Sequence, residues 1–154
     1  MSYWDTSALL KLYLVESDSP SFRSLVRPSL PRTTGFIGKH ELRAVFRRRE
    51  AEGVIANGGS VVFFDRLLDD VADGWLTLVP ETAALEVAFA WVLERCLSQV
   101  PPVFIRTNDA LHIAAAKVAG ETEFISADKH QRAAAAFLGF TVLPAIFPIP
   151  TPTP

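Results

Sequence analysis

Four acids in this sequence stand where one kind of residue pattern gives way to another. Asp5, in "YWDTSALLKLYL", separates a short β-type run (2–4) from an amphipathic helical pattern (7–14), and Asp128 follows "EFISA" and opens "DKHQRAAAAFLG". Glu41, in "GKHELRAVFRRR", and Asp109, in "RTNDALHIAAAK", each lie near the start of a helical pattern. Taken singly, each has an ordinary explanation. An acid at a helix start caps free N–H groups and complements the macrodipole, a gain of roughly 1 kcal/mol. Capping is the better account of Asp109 and Asp128 alone, and Glu41 could answer Lys39 or Arg43. The combination points elsewhere. Carboxylates drawn together to about 4 Å repel by about 4 kcal/mol per pair at an effective dielectric near 20. Such a site needs protons or a cation, and an all-oxygen donor set suits Mg²⁺ or Mn²⁺. Zinc is disfavoured, because His40, His112, His130 and Cys96 lack ligand spacing. His112, inside an Ala-rich helical run, reads as structural.

The elements that must position these acids follow from punctuation. "RRREAEG", "DDVADG", "AAAKVAG" and "AAAFLG" each close a helical pattern with glycine, the favoured left-handed cap. Between them lie β-type runs: "TTGFIG" (33–38), "WLTLV" (75–79), "EFISA" (123–127) and "FTVL" (140–143). With the first run this makes five strands alternating with helices, which implies an α/β fold with a mainly parallel sheet. Ligands of such a sheet sit beyond the carboxyl ends of its strands. Asp5 and Asp128 therefore belong on one rim. Glu41 reaches the same rim through "TTGFIG", whereas Asp109 follows a helix and a loop and is less firmly placed.

Helical stripes mark the core: Leu85, Ala88, Phe89, Val92 and Cys96; Leu111, Ala114, Ala115 and Val118; Phe64, Leu67, Leu68 and Val71. Cys96 reads as a buried small hydrophobe, and Asp65, Asp69, Asp70 and Asp73 as a solvated acidic face. With 154 residues, nearly half of them hydrophobic, the chain suits one domain over 1–144. The tail from 145 to 154 belongs to "PAIFPIPTPTP", which has five prolines in eleven residues and is expected to be extended. A single cysteine excludes an intramolecular disulfide, and neither a bilayer-spanning run nor a signal-type segment is evident, so a cytoplasmic protein is expected. The net charge of −2 excludes a bulk polycation. A nucleic-acid partner would need a local patch, drawn from Lys39, Arg43, Arg47, Arg48, Arg49, Arg106, Lys129 and Arg132, each of which singly reads best as a solvated surface residue.

The segments "YWDTSALLKLYL", "HELRAVFRRR", "TNDALHIAAAK" and "FISADKHQRAAAAFLGFTVL" together resemble the successive motifs of PIN-domain ribonucleases, with closest similarity to the VapC toxins of bacterial toxin–antitoxin pairs. The likeness runs from Ser2 to about Leu143. It implies a PIN-like three-layer α/β/α sandwich with a five-stranded sheet and a metal-dependent endoribonuclease. The four acids of the family fall on Asp5, Glu41, Asp109 and Asp128, as catalytic residues and ligands of Mg²⁺ or Mn²⁺. Ser126 falls on the hydroxyl two residues before the fourth acid, and Ser7 on a supporting hydroxyl of the first motif. Lys11, Arg43, Arg47 or Arg48 would contact the RNA backbone, with Arg48 favoured because it lies seven residues after Glu41, near the same helix face. The segment 54–62 and the proline tail fall outside the shared pattern.

The resemblance further implies a homodimer and a cognate antitoxin protein. Leu10, Leu14 and Phe46 could receive an antitoxin helix, although a core role is preferred. Two alternatives share the site: a housekeeping RNA-processing nuclease, and a non-catalytic module whose acidic groove binds basic peptides. Serine-type hydrolysis is set aside, since no G-x-S-x-G elbow occurs.

Overall fold

Tyr3 and Trp4 are adjacent and both fully buried, yet they enter different cores. Side chains alternate across a strand, so this strand lies between two packed layers. The computed structural model describes residues 2–145, and nearly all of the proline-rich tail lies outside them. Among the described residues, β1 (Ser2–Trp4), β2 (Arg32–Gly35), β3 (Leu76–Val79), β4 (Glu123–Ile125) and β5 (Thr141–Leu143) form one sheet in the order β3-β2-β1-β4-β5. Every neighbouring pair is parallel. The expected mainly parallel sheet is therefore wholly parallel. Its covered faces explain why the short strands read as apolar runs rather than alternating ones.

Seven helices connect and cover the described strands: α1 (Thr6–Tyr13), α2 (Ser19–Arg23), α3 (Phe36–Ala51), α4 (Gly59–Ala72), α5 (Ala83–Leu97), α6 (Thr107–Val118) and α7 (Lys129–Phe137). One core unites Trp4 and Ile125 with Leu9, Phe22, Leu42, Phe46 and Leu67 from α1 to α4. The other unites Tyr3 and Phe124 with Val92, Cys96, Ile113 and Ala134 from α5 to α7. The result is a three-layer α/β/α sandwich. Leu10, Leu14 and Phe46 are core residues, so they do not offer an exposed apolar face to a partner helix. No described helix is long and apolar enough to cross a membrane.

The four glycines that close helical patterns all adopt positive φ: Gly53, Gly74, Gly120 and Gly139. Other expectations change. "TTGFIG" is only half strand: β2 ends at Gly35 and α3 begins at Phe36. Two close approaches require its glycines. A Cβ at Gly35 would lie 2.9 Å from the Tyr3 hydroxyl, and one at Gly38 would lie 2.7 Å from Thr34 Oγ1 and 3.4 Å from His112 Cε1. The expected stripe on α6 is also displaced. His112, Ile113 and Ala116 are buried beside Ala114 and Ala115, whereas Val118 is exposed, because α6 packs against both α5 and the sheet. Of the α4 stripe, only Leu67 is fully buried. Asp70, expected on a solvated face, accepts from the Tyr13 hydroxyl at 2.7 Å and pairs with Arg32.

Candidate active site

The strand order reverses direction of growth at β1: the chain first builds outward through β2 and β3, then returns to add β4 and β5 on the other side. In a doubly wound sheet, such a switch point opens a crevice at the carboxyl ends of the two strands beside it. Here those strands are β1 and β4. Asp5 leaves β1 and Asp128 lies three residues beyond β4. A cleft of about 660 Å³ opens there, lined by Asp5, Glu41, Asp109 and Asp128 together with Thr6, Arg48, Arg106, Asn108 and His112. All four predicted acids share it, including Asp109, which the sequence placed less firmly.

Asp5 is 2% exposed and caps α1 by accepting from Ala8 N at 2.7 Å. Ser7 donates to its carboxylate at 2.8 Å, and Ser126 donates to Oδ2 at 2.6 Å. Each serine also accepts a backbone N–H from the turn after β4: Ser7 from Ala127 at 2.8 Å and Ser126 from Asp128 at 3.0 Å. Two hydroxyls thus lock the exits of β1 and β4 together around one carboxylate. Burial pushes the Asp5 carboxyl up, although His112 and the donors Ser126, Ala8 and Ser7 oppose the shift. Asp5 is both a helix cap and a cleft residue.

Glu41 stands on the α3 face that carries Ala44, Val45 and Arg48, all of which line the cleft. Its carboxylate accepts from the Thr6 hydroxyl, from Asn108 Nδ2 at 2.7 Å and from His112 Nε2 at 2.9 Å. His112 is itself fixed. The Tyr3 hydroxyl lies 2.7 Å from Nδ1 and accepts Gly35 N–H at 2.8 Å, so its own proton points to Nδ1. That network assigns the imidazole hydrogen to Nε2, facing Glu41. Burial would raise the Glu41 carboxyl, but the donors His112, Thr6 and Asn108 outweigh it and hold it at about 2. Glu41 is therefore ionised and a weak base.

Asp109, in the first turn of α6, accepts from Arg106 Nε at 2.7 Å and Nη2 at 3.3 Å. The same Nη2 reaches Asp128 Oδ2 at 2.5 Å. Asp128 caps α7 by accepting from His130 N at 2.8 Å and Gln131 N at 3.2 Å. Burial alone would raise the Asp128 carboxyl, but the Gln131 N–H and Arg106 hold it below the usual range.

Among the basic candidates, Arg48, Arg49 and Arg106 line the cleft. Arg48 forms no ion pair among the described residues, while Arg49 pairs with Glu16 and Glu52. Lys11, Arg43 and Arg47, expected to contact RNA, do not line the cleft. Lys11 pairs with Glu16 and with Asp18 at 2.7 Å, Arg43 stacks over Phe64, and Arg47 pairs with Glu50 and donates to Ser60. Arg132 donates to the carbonyls of Ser126, Leu143 and Pro144. Cys96 is buried, and burial pushes its thiol up, as suits a packing residue. Sequence reasoning missed the cleft roles of His112 and Arg106. The signal was their spacing: both stand three residues from Asp109, Arg106 at the N-cap of α6 and His112 one turn on along the same face.

The four acids share one cleft without forming a compact shell. Among the described residues, no three His, Cys, Asp or Glu side chains are grouped closely enough to hold a metal. The donor chemistry nonetheless fits a hard cation. The carboxylates are oxygen-only, and a guanidinium already stands between Asp109 and Asp128 as a cation. Mg²⁺ retains water and needs only one or two carboxylates, so a loose set of acids suits it.

Among solved structures, the chain is similar to VapC20 of Mycobacterium tuberculosis, described as a sarcin-ricin loop cleaving toxin. The two are 17% identical, the match covers 87% of this chain and 95% of that chain, and the TM-score is 0.64. No family model and no curated protein matches the sequence. At this identity the likeness shows a shared fold, the PIN-like α/β/α sandwich.

Proposed function

We propose that this chain is a divalent-metal-dependent endoribonuclease that hydrolyses RNA phosphodiester bonds, and that it acts as the toxin of a type II toxin–antitoxin pair. The observation that carries the reading is the placement of Asp5, Glu41, Asp109 and Asp128 on one cleft at the switch point of the sheet. VapC20, which shares the fold, is described as a sarcin-ricin loop cleaving toxin.

Asp5 and Asp109 would hold Mg²⁺ or Mn²⁺, with Glu41 and Asp128 completing or orienting its water shell. The cation, when bound, supplies charge for a phosphate oxygen and lowers the pKa of a bound water. The chain's own residues do the rest. Ser7 and Ser126 fix the Asp5 carboxylate in one orientation. Glu41, held ionised by three donors, is too weak a base to accept a proton readily, so it orients a water by accepting its hydrogen bond. Arg48 at the cleft mouth would contact the phosphate backbone and set the register of the strand.

The reading is tested by exposing total RNA to the purified chain with Mn²⁺, with EDTA, and with Asp5→Asn. Cleavage leaving 5′-phosphate ends only in the first sample is expected. Activity that survives EDTA would overturn the metal mechanism, and full activity in Asp5→Asn would reduce that residue to a cap. Growth arrest on expression, relieved by Asp5→Ala, is expected of a toxin. A housekeeping nuclease would not produce it. Partners on this reading are RNA, a cognate antitoxin and a second copy of the chain. The guanidinium between Asp109 and Asp128 favours one second reading, a groove for basic peptides. That reading predicts binding of Arg-containing peptides without turnover.

A further inference from the structure

Arg106 differs from the other arginines near the site. Arg132 donates to backbone carbonyls and Arg49 pairs with glutamates outside the predicted four, whereas every side-chain hydrogen bond of Arg106 among the described residues ends on a cleft carboxylate. Its guanidinium grips Asp109 with two N–H groups and extends one of them to Asp128 on another element. Its side chain is nonetheless 66% exposed. Arg106 is the N-cap residue of α6, with an extended backbone and no side-chain cap bond to the helix.

We infer that Arg106 is an internal counter-cation of the Asp109–Asp128 pair, which a divalent metal must displace, so that this side chain sets the metal concentration at which the cleft loads. This rests on the metal-dependent reading above. The physical balance supports it. Two carboxylates from different elements facing one cleft repel, and one bidentate, bridging guanidinium neutralises both. Because that guanidinium is mostly in water, each pair contributes little and is readily exchanged. A divalent ion carries twice the charge into the same place. The chain thus stays organised without metal, and the acid pair opens only when a stronger cation arrives.

The test is calorimetric titration of Mn²⁺ into the metal-stripped chain, with no RNA present. Arg106→Gln should bind Mn²⁺ about ten-fold tighter than wild type (about 1.4 kcal/mol). Arg106→Lys, which keeps one charge but loses the fork, should fall between. Arg48→Gln is the control, because it removes a cleft cation that touches no acid; its affinity should stay within about two-fold of wild type. Equal binding by wild type and Arg106→Gln, or an equal gain in Arg48→Gln, overturns the counter-cation while leaving the metal reading intact. Absence of Mn²⁺ binding in every variant overturns both.

Discussion

The two sides of the cleft hold their acids by different means. Asp5 and Glu41 are held mainly by groups that carry no fixed charge: serine and threonine hydroxyls, a backbone N–H, an amide and an imidazole. Asp109 is held by the Arg106 guanidinium, which it shares with Asp128, itself also bonded to two N–H groups at a helix start. The first arrangement fixes geometry through hydrogen bonds and sets no guanidinium ion pair against Asp5 or Glu41. The second cancels charge through one exposed, exchangeable side chain. On the metal-dependent reading, one side would be preorganised for a cation, and the other would be held by Arg106 until a cation arrives.

The largest expected effect tests whether both sides serve one reaction. Asp5→Asn and Asp109→Asn should each lower RNA cleavage by roughly a thousandfold, the several kcal/mol that metal-held charge contributes. Their metal-free stabilities should move in opposite directions. Asp5→Asn removes a buried charge and keeps its bonds: the amide oxygen still accepts from Ala8, and its NH₂ can donate to Ser126 once that hydroxyl turns to Gln131 Oε1, now 3.1 Å away. Its melting temperature should rise. Asp109→Asn leaves Arg106 without its bidentate partner and weakens a favourable first-turn acid in α6, a loss of about 1 kcal/mol. Thermal unfolding in EDTA measures both, and shifts of the same sign would erase the contrast.

Next in size is His112→Ala, which acts on the first side only. Without the imidazole, Glu41 loses one of its three donors and the Tyr3 hydroxyl loses its acceptor inside the core. Outer supports of metal ligands typically contribute 10–100-fold, so cleavage should fall by about that factor. Stability should drop by about 1–3 kcal/mol, the cost of stranding a buried polar group. Rescue of cleavage in His112→Gln, whose amide can donate to Glu41, would separate orientation from bulk packing. Mn²⁺ affinity in Arg106→Gln should be insensitive to this second change if the two sides are independent.

The same contrast explains what the sequence could and could not reveal. Asp5 was legible because a strand end, a helix start and an acid coincide within a few residues. The five strands were legible because each is a short β-type run set off by a glycine, a proline or an acid close to its end. "TTGFIG" was misread as strand throughout because its glycines answer tertiary contacts, with Tyr3 and His112, that no local pattern reports. His112 read as structural because an Ala-rich helix hides which face meets a cleft. Lys11, Arg43 and Arg47 do not line the cleft, for another reason. Long cationic side chains choose among partners brought near by folding, here Glu16 and Asp18, the Phe64 ring, and Glu50 with Ser60. Backbone punctuation is local, whereas a side chain's partner is not.

The smallest expected effect separates the two sides by pH. Glu41 sits at about 2 in the folded chain against 4.5 ordinarily, and Asp128 is also lowered, so each adds stability above the unfolded value. That contribution is lost as pH falls from about 4.5 through about 2 for Glu41. Asp5 is raised, so its ionised form opposes folding at neutral pH, and protonation on acidification relieves that cost. Metal-free wild type should therefore lose part of its acid sensitivity through Asp5 and regain it through Glu41. Glu41→Gln should flatten the decline below pH 4.5, whereas Asp5→Asn should steepen the net decline by removing the opposing term. Salt gives the complementary cut. Raising NaCl from about 0.05 to 0.5 M screens the exposed Arg106 pairs and leaves the short hydrogen bonds of Glu41 largely intact. The Arg106→Gln destabilisation, at most about 1 kcal/mol, should then vanish while the acid-side difference of Glu41→Gln persists. Equal salt sensitivity in both variants would mean that solvent reaches the two sides alike, and that burial does not divide the cleft.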